Sequence, residues 1–532
     1  MKMPSPMGPG ARFATIPKIN VPRSQFDMSH GHTTTFDVGK VIPITWLDVL
    51  PGDSFNIKST SFMRLSTPVK PIMDNLYADI HFFFVPYRLL WENFTKMLGE
   101  QEDPGDSISY TVPQYNNTGT GYGFSTVEDY LGVPPDIDNA TDAWTINALP
   151  RRAYTLIWDD WYRDENLQNS IGIDTGDGPH GTSNGLSPQP RGKRHDYFTT
   201  CLPWLQKGTA VAVGVTGESG ENPVFAGVTS STTGGFRPKT GGAGTSDVEM
   251  SSHSSFGGDG GNWSAGEILD WSDPGLEVNI NNLRESLAVQ KLLERSARAG
   301  TRYPEILSGV FGVYDPSQAV LQRPQFLGSS SCAIVVNPVV QTSATATAGA
   351  VDVATEQGNL AGIGTGVLKA SCFNSFTEHG IFMAMLSVRS DLRYQQGLER
   401  YWNKETRYDF YVPDLAMLGE QAVYNKEIYL DDAATNDSVF GYQERWSEYR
   451  YKPSRISGEF RSSHTNTLEV WHLGLDFASL PTLNSDFIEE DPDMDRILAS
   501  STNHHILSDN WFSVTAARPL PMYSIPGLGA RL

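Results

Sequence analysis

The hydrophobic period changes once between residues 76 and 99, and the change predicts a strand followed by a helix. Up to residue 85 the side chains alternate between two faces, one of them apolar throughout: Leu76, Ala78, Ile80, Phe82 and Phe84. The other face starts polar and becomes apolar, in the order Tyr77, Asp79, His81, Phe83 and Val85. After Pro86 a spacing of three and four residues runs to Gly99 through Tyr87, Leu90, Trp91, Phe94 and Leu98. We therefore expect a largely buried strand that leads into one amphipathic helix.

Shorter stretches with β-branched and aromatic residues between turn signals predict more strands. They lie at residues 33–38, 41–47 and 54–65, and after residue 305 at 332–340, 380–391, 407–413, 455–462 and 467–477. Strands therefore dominate both ends of the chain.

Helical spacing predicts two more helices. The first begins at Pro150, and its expected buried face is Tyr154, Ile157, Trp158 and Trp161. The second covers residues 283–299, with Asn282 as the N-cap and an expected buried stripe of Leu283, Leu287, Val289, Leu293 and Ala297. Because helices do not alternate regularly with strands, a parallel α/β sheet is excluded. The fold class predicted is mainly β, as one large antiparallel domain whose loops hold the helices.

Residues 214–262 differ in kind from their surroundings. Gly, Ser and Thr make up more than half of this segment, and no helical period is present. Such a composition cannot bury a core of its own. We expect a surface insertion with short β-segments at most.

The chain has 532 residues and a net charge of −21, so its exterior should repel nucleic acid, although a concave inner face can carry the opposite sign. Residues 1–26 reverse the balance, because they contain Lys2, Arg12, Lys18 and Arg23 and no acid. This start is either a disordered segment or a basic arm on a polyanion, and the residues leave both interpretations open.

The cysteines Cys201, Cys332 and Cys372 are far apart and fit no metal-binding spacing. They are expected to be reduced thiols, as in a reducing cytoplasm. We found no apolar run of the roughly 18 residues that a membrane span needs, and no apolar signal region at the start. The chain is therefore predicted to be made and kept soluble, without membrane insertion.

Motifs for catalysis or metal binding are weak. His30 and His32 have no third ligand at a usable spacing, and the acidic run from Asp491 to Asp495 lacks the glycine and glutamate of a calcium loop. No arrangement of nucleophile and base follows any familiar spacing. The sequence therefore predicts a protein that is not an enzyme and has no metal site and no cofactor.

One segment interleaves aromatic and basic residues in the way that single-stranded nucleic acid requires. Its candidate contacts are Tyr449, Arg450, Tyr451, Lys452 and Arg455. Cross-strand packing between the same residues is the competing interpretation. A carbohydrate-binding or carbohydrate-active β-sandwich is a further alternative, since the aromatic residues at 158–162 can stack on sugars.

Long stretches of the chain resemble the major capsid proteins of the Microviridae, in particular the gokushovirus branch of small single-stranded DNA bacteriophages. The runs that carry the resemblance include RSQFDMSHGHTTTFDVG, TPVKPIMDNLYADIHFFFVPYRLLWENF, NALPRRAYTLIWDDWYRDENLQ, RGKRHDYFTTCLPW, RSDLRYQQGLERYW, VFGYQERWSEYRYKPSRISGEFRS, VWHLGLDFASLP and RPLPMYSIPGLG. They follow one another over nearly the whole chain, and the 214–262 insertion is the part that does not match.

The resemblance implies an eight-stranded antiparallel jelly-roll barrel with long loop insertions. It also implies a T=1 icosahedral shell of sixty copies around circular single-stranded DNA, with minor virion and scaffolding proteins as further partners. In this picture residues 1–32 are an extended basic arm and residues 33–532 a single capsid domain. The protein would be located in the virion, and in the host bacterial cytoplasm during assembly.

The insertion would form protrusions at the threefold axes that contact a host receptor. The candidate contacts within it are Val215, Phe225, Phe236, Arg237 and Phe256.

Overall fold

The structure is a computed structural model. It describes residues 22–119, 121–135, 137, 139–178, 185–209, 211, 215–216, 277–278, 280–313, 322–340, 360–431, 434–500 and 504–523. Contacts divide the chain into two compact units, one formed by residues 1–207 and 295–532 and the other by residues 208–294.

Within these ranges most of the regular structure is β. The strands are β1 (Ser24–Asp27), β2 (His30–Phe36), β3 (Ile42–Val49), β4 (Ser54–Leu65), β5 (Leu76–Pro86), β6 (Gln114–Gly119), β7 (Asn139–Asn147), β8 (Val215–Thr216), β9 (Glu277–Val278), β10 (Gln325–Val340), β11 (Leu360–Ser375), β12 (Gly380–Ser390), β13 (Glu420–Tyr424), β14 (Val439–Glu444) and β15 (Ile506–Arg518). The α-helices are α1 (Tyr87–Leu90), α2 (Phe94–Met97), α3 (Val127–Tyr130), α4 (Leu149–Trp161), α5 (Ile280–Arg298), α6 (Tyr303–Ile306), α7 (Asn425–Ile428) and α8 (Ser485–Ile488).

The long strands form a jelly-roll barrel, which confirms the predicted fold class. One path of antiparallel pairing runs β15-β4-β11-β10-β5-β12-β3, with β1 and β2 side by side along the free edge of β15. This order contains two four-stranded sheets, β2-β15-β4-β11 and β10-β5-β12-β3. We call them the first and the second sheet.

Strand β10 joins the two sheets because it changes partner along its length. Its first part, from Gln325 to Ile334, pairs with β5, and its last part, from Val335 to Val340, pairs with β11. The sheets therefore curl towards each other and enclose the main core between them.

Strand β4 shows how the sequence builds this core. Its residues alternate strictly between buried and exposed, and Phe55, Ile57, Met63 and Leu65 all point into the barrel. Strand β5 faces it from the second sheet with Ile80, Phe82 and Phe84, where the Phe82 ring stacks on Phe382 at 5.8 Å between centroids. The alternation of β5 was predicted correctly.

The single helix predicted after Pro86 is wrong, because α1 and α2 are separate turns. Trp91 is extended between them, with φ −151° and ψ 118°. Its ring is fully buried, and its indole Nε1 donates to Asp177 Oδ1 at 2.7 Å. This contact holds the extended Trp91 against the segment around Asp177.

Helix α4 confirms the helix that was predicted to begin at Pro150, and it begins one residue earlier, at Leu149. Its residues Tyr154 and Ile157 pack with β5 and β12 in a second apolar core on the outer side of the second sheet. Trp161 is 41% exposed rather than buried, and its Nε1 donates to the carbonyl of Pro324 at 2.9 Å.

Helix α5 is confirmed as a helix, but its predicted N-cap and most of its predicted buried stripe are wrong. It begins at Ile280, so Asn282 lies inside the helix and is not its cap. Leu283, Leu287 and Val289 are exposed, and Ala297 is the buried residue of the helix. Spacing identifies the apolar side of a helix, but it does not show that the same chain covers that side.

Three predicted strands near the C-terminus are also wrong. Residues 407–413, 455–462 and 467–477 contain short 3₁₀ turns instead. Their polar groups bind other loops, as when the amide of Leu473 donates to Asp74 Oδ2 at 3.1 Å. The predictions at 332–340 and 380–391 are confirmed by β10 and β12, whereas β11 and β15 were not predicted.

Candidate nucleic-acid interface

Arg23 is the one candidate of the N-terminal arm that falls within the described residues; Lys2, Arg12 and Lys18 lie outside them. Its guanidinium Nη2 donates to Ser54 Oγ at 2.8 Å and to the carbonyl of Ala517 at 3.2 Å. These contacts tie the chain just before β1 to the ends of β4 and β15. Arg23 therefore takes part in the fold as well as carrying charge.

The basic segment near residue 450 meets a second aromatic and basic segment, residues 399–411. Lys404 Nζ donates to the hydroxyl of Tyr449 at 2.7 Å and lies 4.3 Å from the centre of that ring. The rings of Tyr411 and Tyr449 are 6.3 Å apart. We call the combined set the aromatic–basic cluster: Tyr401, Trp402, Lys404, Arg407, Tyr408, Arg445, Tyr449, Arg450, Tyr451, Lys452 and Arg455.

A tight turn presents Tyr449 and its neighbours. Trp446 has a positive φ of 69°, a strained conformation for a large side chain, and the 3₁₀ turn Ser447–Tyr449 follows it. The buried indole of Trp446 compensates, since its Nε1 donates to the carbonyl of Leu415 at 3.0 Å. The turn directs Tyr449 and Tyr451 outward, and both remain about half exposed.

Acidic residues neutralise much of the cluster's positive charge. Arg450 is paired with Glu444, and Lys452 with Glu399. Arg455 Nη1 lies 3.9 Å from the second carboxylate oxygen of Glu399. The cluster therefore offers exposed rings for stacking, but its cations are only partly free to bind phosphate.

Sequence reasoning missed half of this cluster. Tyr401, Trp402, Lys404, Arg407 and Tyr408 carry the same interleaving of aromatic and basic residues, and the tryptophan is 68% exposed. That repeated pattern was the available signal. It was overlooked because part of the segment was assigned to a strand.

The host-contact candidates fall almost entirely outside the described residues. Val215 belongs to β8, whose backbone pairs with β9 at Val278. Phe225, Phe236, Arg237 and Phe256 are not among the residues that the structure describes.

The paired histidines bind protein groups. His30 Nδ1 and Nε2 lie 2.9 Å from the carbonyl of Met28 and 2.7 Å from Thr45 Oγ1, and His32 Nδ1 lies 2.8 Å from the carbonyl of Ile44. In the described part of the chain no three His, Cys, Asp or Glu side chains come together as a metal site would require.

A polar cluster lies on the outer side of β5. Asp79 pairs with Arg191 at 2.7 Å and with Arg389 at 3.2 Å, beside a cavity of about 500 Å³. Burial opposes the charged form of Asp79, but Arg191, a hydrogen bond from Ser331 and Arg389 outweigh it and lower the pKa. Burial, reinforced by Arg191, lowers the pKa of His81 to about 4, so this imidazole is neutral at pH 7. Because the charges pair with one another, we interpret the cluster as a clamp between β5 and the residue 191 segment.

None of the helices among the described residues has the length and apolar character needed to cross a membrane.

Comparison with known proteins gives one consistent result. The family model described as "Capsid protein (F protein)" matches residues 14–528. Capsid protein VP1 of Chlamydia phage 1 and capsid protein VP1 of Bdellovibrio phage phiMH2K are each 38% identical to the chain, over 99% and 98% of both sequences respectively. Capsid protein VP1 of Spiroplasma virus 4 is 33% identical over 97% of both.

Proposed function

The chain belongs to the capsid protein (F protein) family of the Microviridae, and from this premise we propose that sixty copies form a T=1 icosahedral shell around circular single-stranded DNA. The observation that carries the proposal is the family match over nearly the whole chain, 14–528. The jelly-roll barrel supports it, since this architecture is common among viral capsid proteins.

Assembly is tested by expressing the full chain with the other virion proteins and imaging the product by electron microscopy. Closed shells of uniform size with icosahedral symmetry are expected. Only monomers, small oligomers or open sheets under all assembly conditions would contradict the proposal.

The arm carrying Lys2, Arg12, Lys18 and Arg23 is proposed to face the packaged DNA, with the aromatic–basic cluster as a second contact. Replacing all four cations with Gln should flatten the dependence of log affinity on log salt by about 3, since each phosphate contact on a single strand contributes about 0.7. Binding of labelled oligothymidylate to unassembled subunits measures this slope. An unchanged slope together with lost shell assembly would mean that the arm is structural.

The insertion at residues 214–262 is proposed to project outward and contribute to host attachment. A short Gly-Ser link in its place should leave shells intact, because the closure entropy of a surface loop depends only weakly on its length. Attachment of particles to host cells should then fall. If the deletion prevents assembly, the insertion belongs to a contact between subunits instead.

We propose that the protein has no enzymatic activity. It would assemble in the host bacterial cytoplasm with minor virion and scaffolding proteins, and the finished particle would bind a receptor on the host cell surface. Highly purified particles should cleave no glycan, which also tests the carbohydrate-active alternative. A saturable activity abolished by one point substitution would refute this.

A further inference from the structure

The outer face of the first sheet is open to solvent over three neighbouring strands, and at one end Phe62 and Arg64 line a cavity of about 540 Å³ beside α3. Residues on β4, β11 and β15 alternate between buried and solvent-facing positions along nearly their whole length. The outward positions include three aromatic rings and three cations. We call the following set the outer platform: Lys58, Phe62, Arg64, Lys369, Phe373 and Trp511.

Strand register places these residues in adjacent rows. Phe62 lies opposite Val367 on one side and Asp509 on the other. In the next row Thr60 separates Trp511 from Lys369. Neighbouring strands are about 4.8 Å apart, so Trp511 and Lys369 lie two strand spacings apart in one row, with Phe62 two residues further along β4 than Thr60.

The rings are accessible to a ligand. Trp511 is 57% exposed, and its indole lies over Gly31 of β2, where an added Cβ would be 3.4 Å from the ring. The glycine thus lets the indole lie on the sheet, with much of the ring still open to solvent. Phe62 and Phe373 are 48% and 73% exposed.

The cations of the outer platform are available as well. Lys58, Arg64 and Lys369 make no ion pair with any residue in the described ranges. Asp509 is the single acid among the outward positions of β4, β11 and β15, and its Oδ1 accepts a hydrogen bond from Thr33 at 3.1 Å. Asp129 of α3 lines the same cavity as Arg64, so three cations are set against two acids, and in a chain of net charge −21 this face is locally basic.

We propose that the outer platform binds single-stranded DNA, with bases stacked on its rings and phosphates held by its three cations. This inference rests on the proposed enclosure of a single-stranded genome and adds the surface that holds it. Stacking on exposed rings together with phosphate pairing is the chemistry of single-strand recognition, whereas a duplex keeps its bases away from such rings. The aromatic–basic cluster fits less well because Glu444 and Glu399 pair with three of its cations, Arg450, Lys452 and Arg455.

A charge test uses the triple variant Lys58→Gln, Arg64→Gln and Lys369→Gln. Binding of labelled oligothymidylate to full-length unassembled subunits is measured by fluorescence anisotropy over a range of salt concentrations. The variant should flatten the log–log salt slope by about 2, since three contacts contribute about 0.7 each. The matched control removes two lysines and one arginine from α2 and α5, as Lys96→Gln, Arg284→Gln and Lys291→Gln, and should keep the wild-type slope.

A stacking test uses Trp511→Ala and Trp511→Phe. The alanine variant should bind oligothymidylate about tenfold more weakly with an unchanged salt slope, because a lost ring removes stacking and no phosphate contact. The phenylalanine variant should recover most of the affinity. Neither change should alter binding of a duplex of the same length.

Three results would overturn the inference. The first is an unchanged slope in the platform triple variant. The second is loss of the slope in Arg450→Gln, Lys452→Gln and Arg455→Gln instead. The third is a platform variant that no longer forms shells although its subunits still bind DNA normally, which would show that a second copy of the chain covers this face.

The proposed function is judged separately, by whether wild-type particles contain single-stranded DNA. Particles that contain it while the platform variants bind normally would refute the outer platform alone. Particles without it would refute the enclosure of a genome.

Discussion

The two sheets of the barrel share one core but differ on the faces that point away from it. On the second sheet Phe83 and Met383 are buried beneath Tyr154 and Ile157 of α4. On the first sheet the equivalent outward positions, such as Phe62 and Trp511, face solvent. The difference shows that one sheet is a middle layer and the other a surface.

The sequences of the strands explain this difference. Strand β12 is a nearly continuous apolar run, GIFMAMLSV, which is typical of a strand buried on both faces. Strand β4 reads SFNIKSTSFMRL and alternates between apolar and mostly polar positions, which is typical of a sheet with one solvated face. The exceptions to polarity on that solvated face, Phe62 among them, are therefore the informative residues.

Introducing a charge should give the largest difference in stability between the two outer faces. Met383→Lys places an ammonium group in a fully buried apolar site and should cost more than about 4 kcal/mol, enough to prevent folding. Val367→Lys makes the same kind of change on the exposed face of β11 and should cost less than about 1 kcal/mol. Soluble yield and urea denaturation of the subunits measure both. Equal losses would mean that the first sheet is also covered.

Removing a ring gives a second matched pair. Phe83 is 2% exposed and its ring lies 5.6 Å from that of Phe326, so Phe83→Ala should cost about 3–5 kcal/mol. Phe62→Ala removes the same atoms from an exposed position and should cost less than about 1 kcal/mol. The comparison fails if the two free energies of unfolding change by the same amount.

Lowering the pH should destabilise the folded chain through His81, which lies on the covered outer side of β5. Its pKa of about 4 in the folded chain lies below the unfolded value of about 6.5. As the pH falls from about 6.5 to about 4, the unfolded chain takes up a proton that the folded chain resists, so stability falls by up to about 3 kcal/mol. His81→Gln should remove this part of the pH dependence of the unfolding free energy. An unchanged pH profile in the variant would show that His81 is not the group responsible.

Adding one exposed thiol should change stability least, and its labelling rate still distinguishes the outer side of the first sheet from the inner side. Cys372 is buried in the core, and burial raises the pKa of its thiol to about 11. It should react very slowly with a thiol reagent in the folded subunit. Its neighbour Ser371 points outward, so a Ser371→Cys variant should gain one rapidly labelled site. Rapid labelling of Cys372 in the wild type would contradict the assigned register.

Periodicity predicted strands best where the apolar pattern was regular. The bounds of β4 agree with the predicted 54–65, and β5 and its two faces agree residue by residue. Strand β11 was missed because its glycines weaken the pattern. An added Cβ on Gly364 would be 2.7 Å from Leu65 Cβ on the neighbouring strand β4, so the glycine reflects close packing between these two strands on the inner side of the first sheet.

The candidate DNA contacts were predictable only in part. Interleaved aromatic and basic residues identified Tyr449 and Arg450 from the sequence, but not the pairing of Arg450 with Glu444. Nothing in the sequence brings Lys58, Lys369 and Trp511 together, because more than 100 residues separate each of them from the next. These three become neighbours only through the register of β11, β4 and β15.

The sequence by itself determined the β class, the alternation of the core strands, the amphipathic stripe of α4 and the membership in a capsid family. The first three are set by neighbours along the chain, within the reach of one strand or one helical turn. The family membership follows from matching runs along nearly the whole chain. Only the tertiary structure decided which element covers the second sheet, which cations are neutralised and which distant residues share a surface. Those outcomes depend on long-range strand pairing and on the packing of α4 against one sheet and not the other, and no local pattern encodes them.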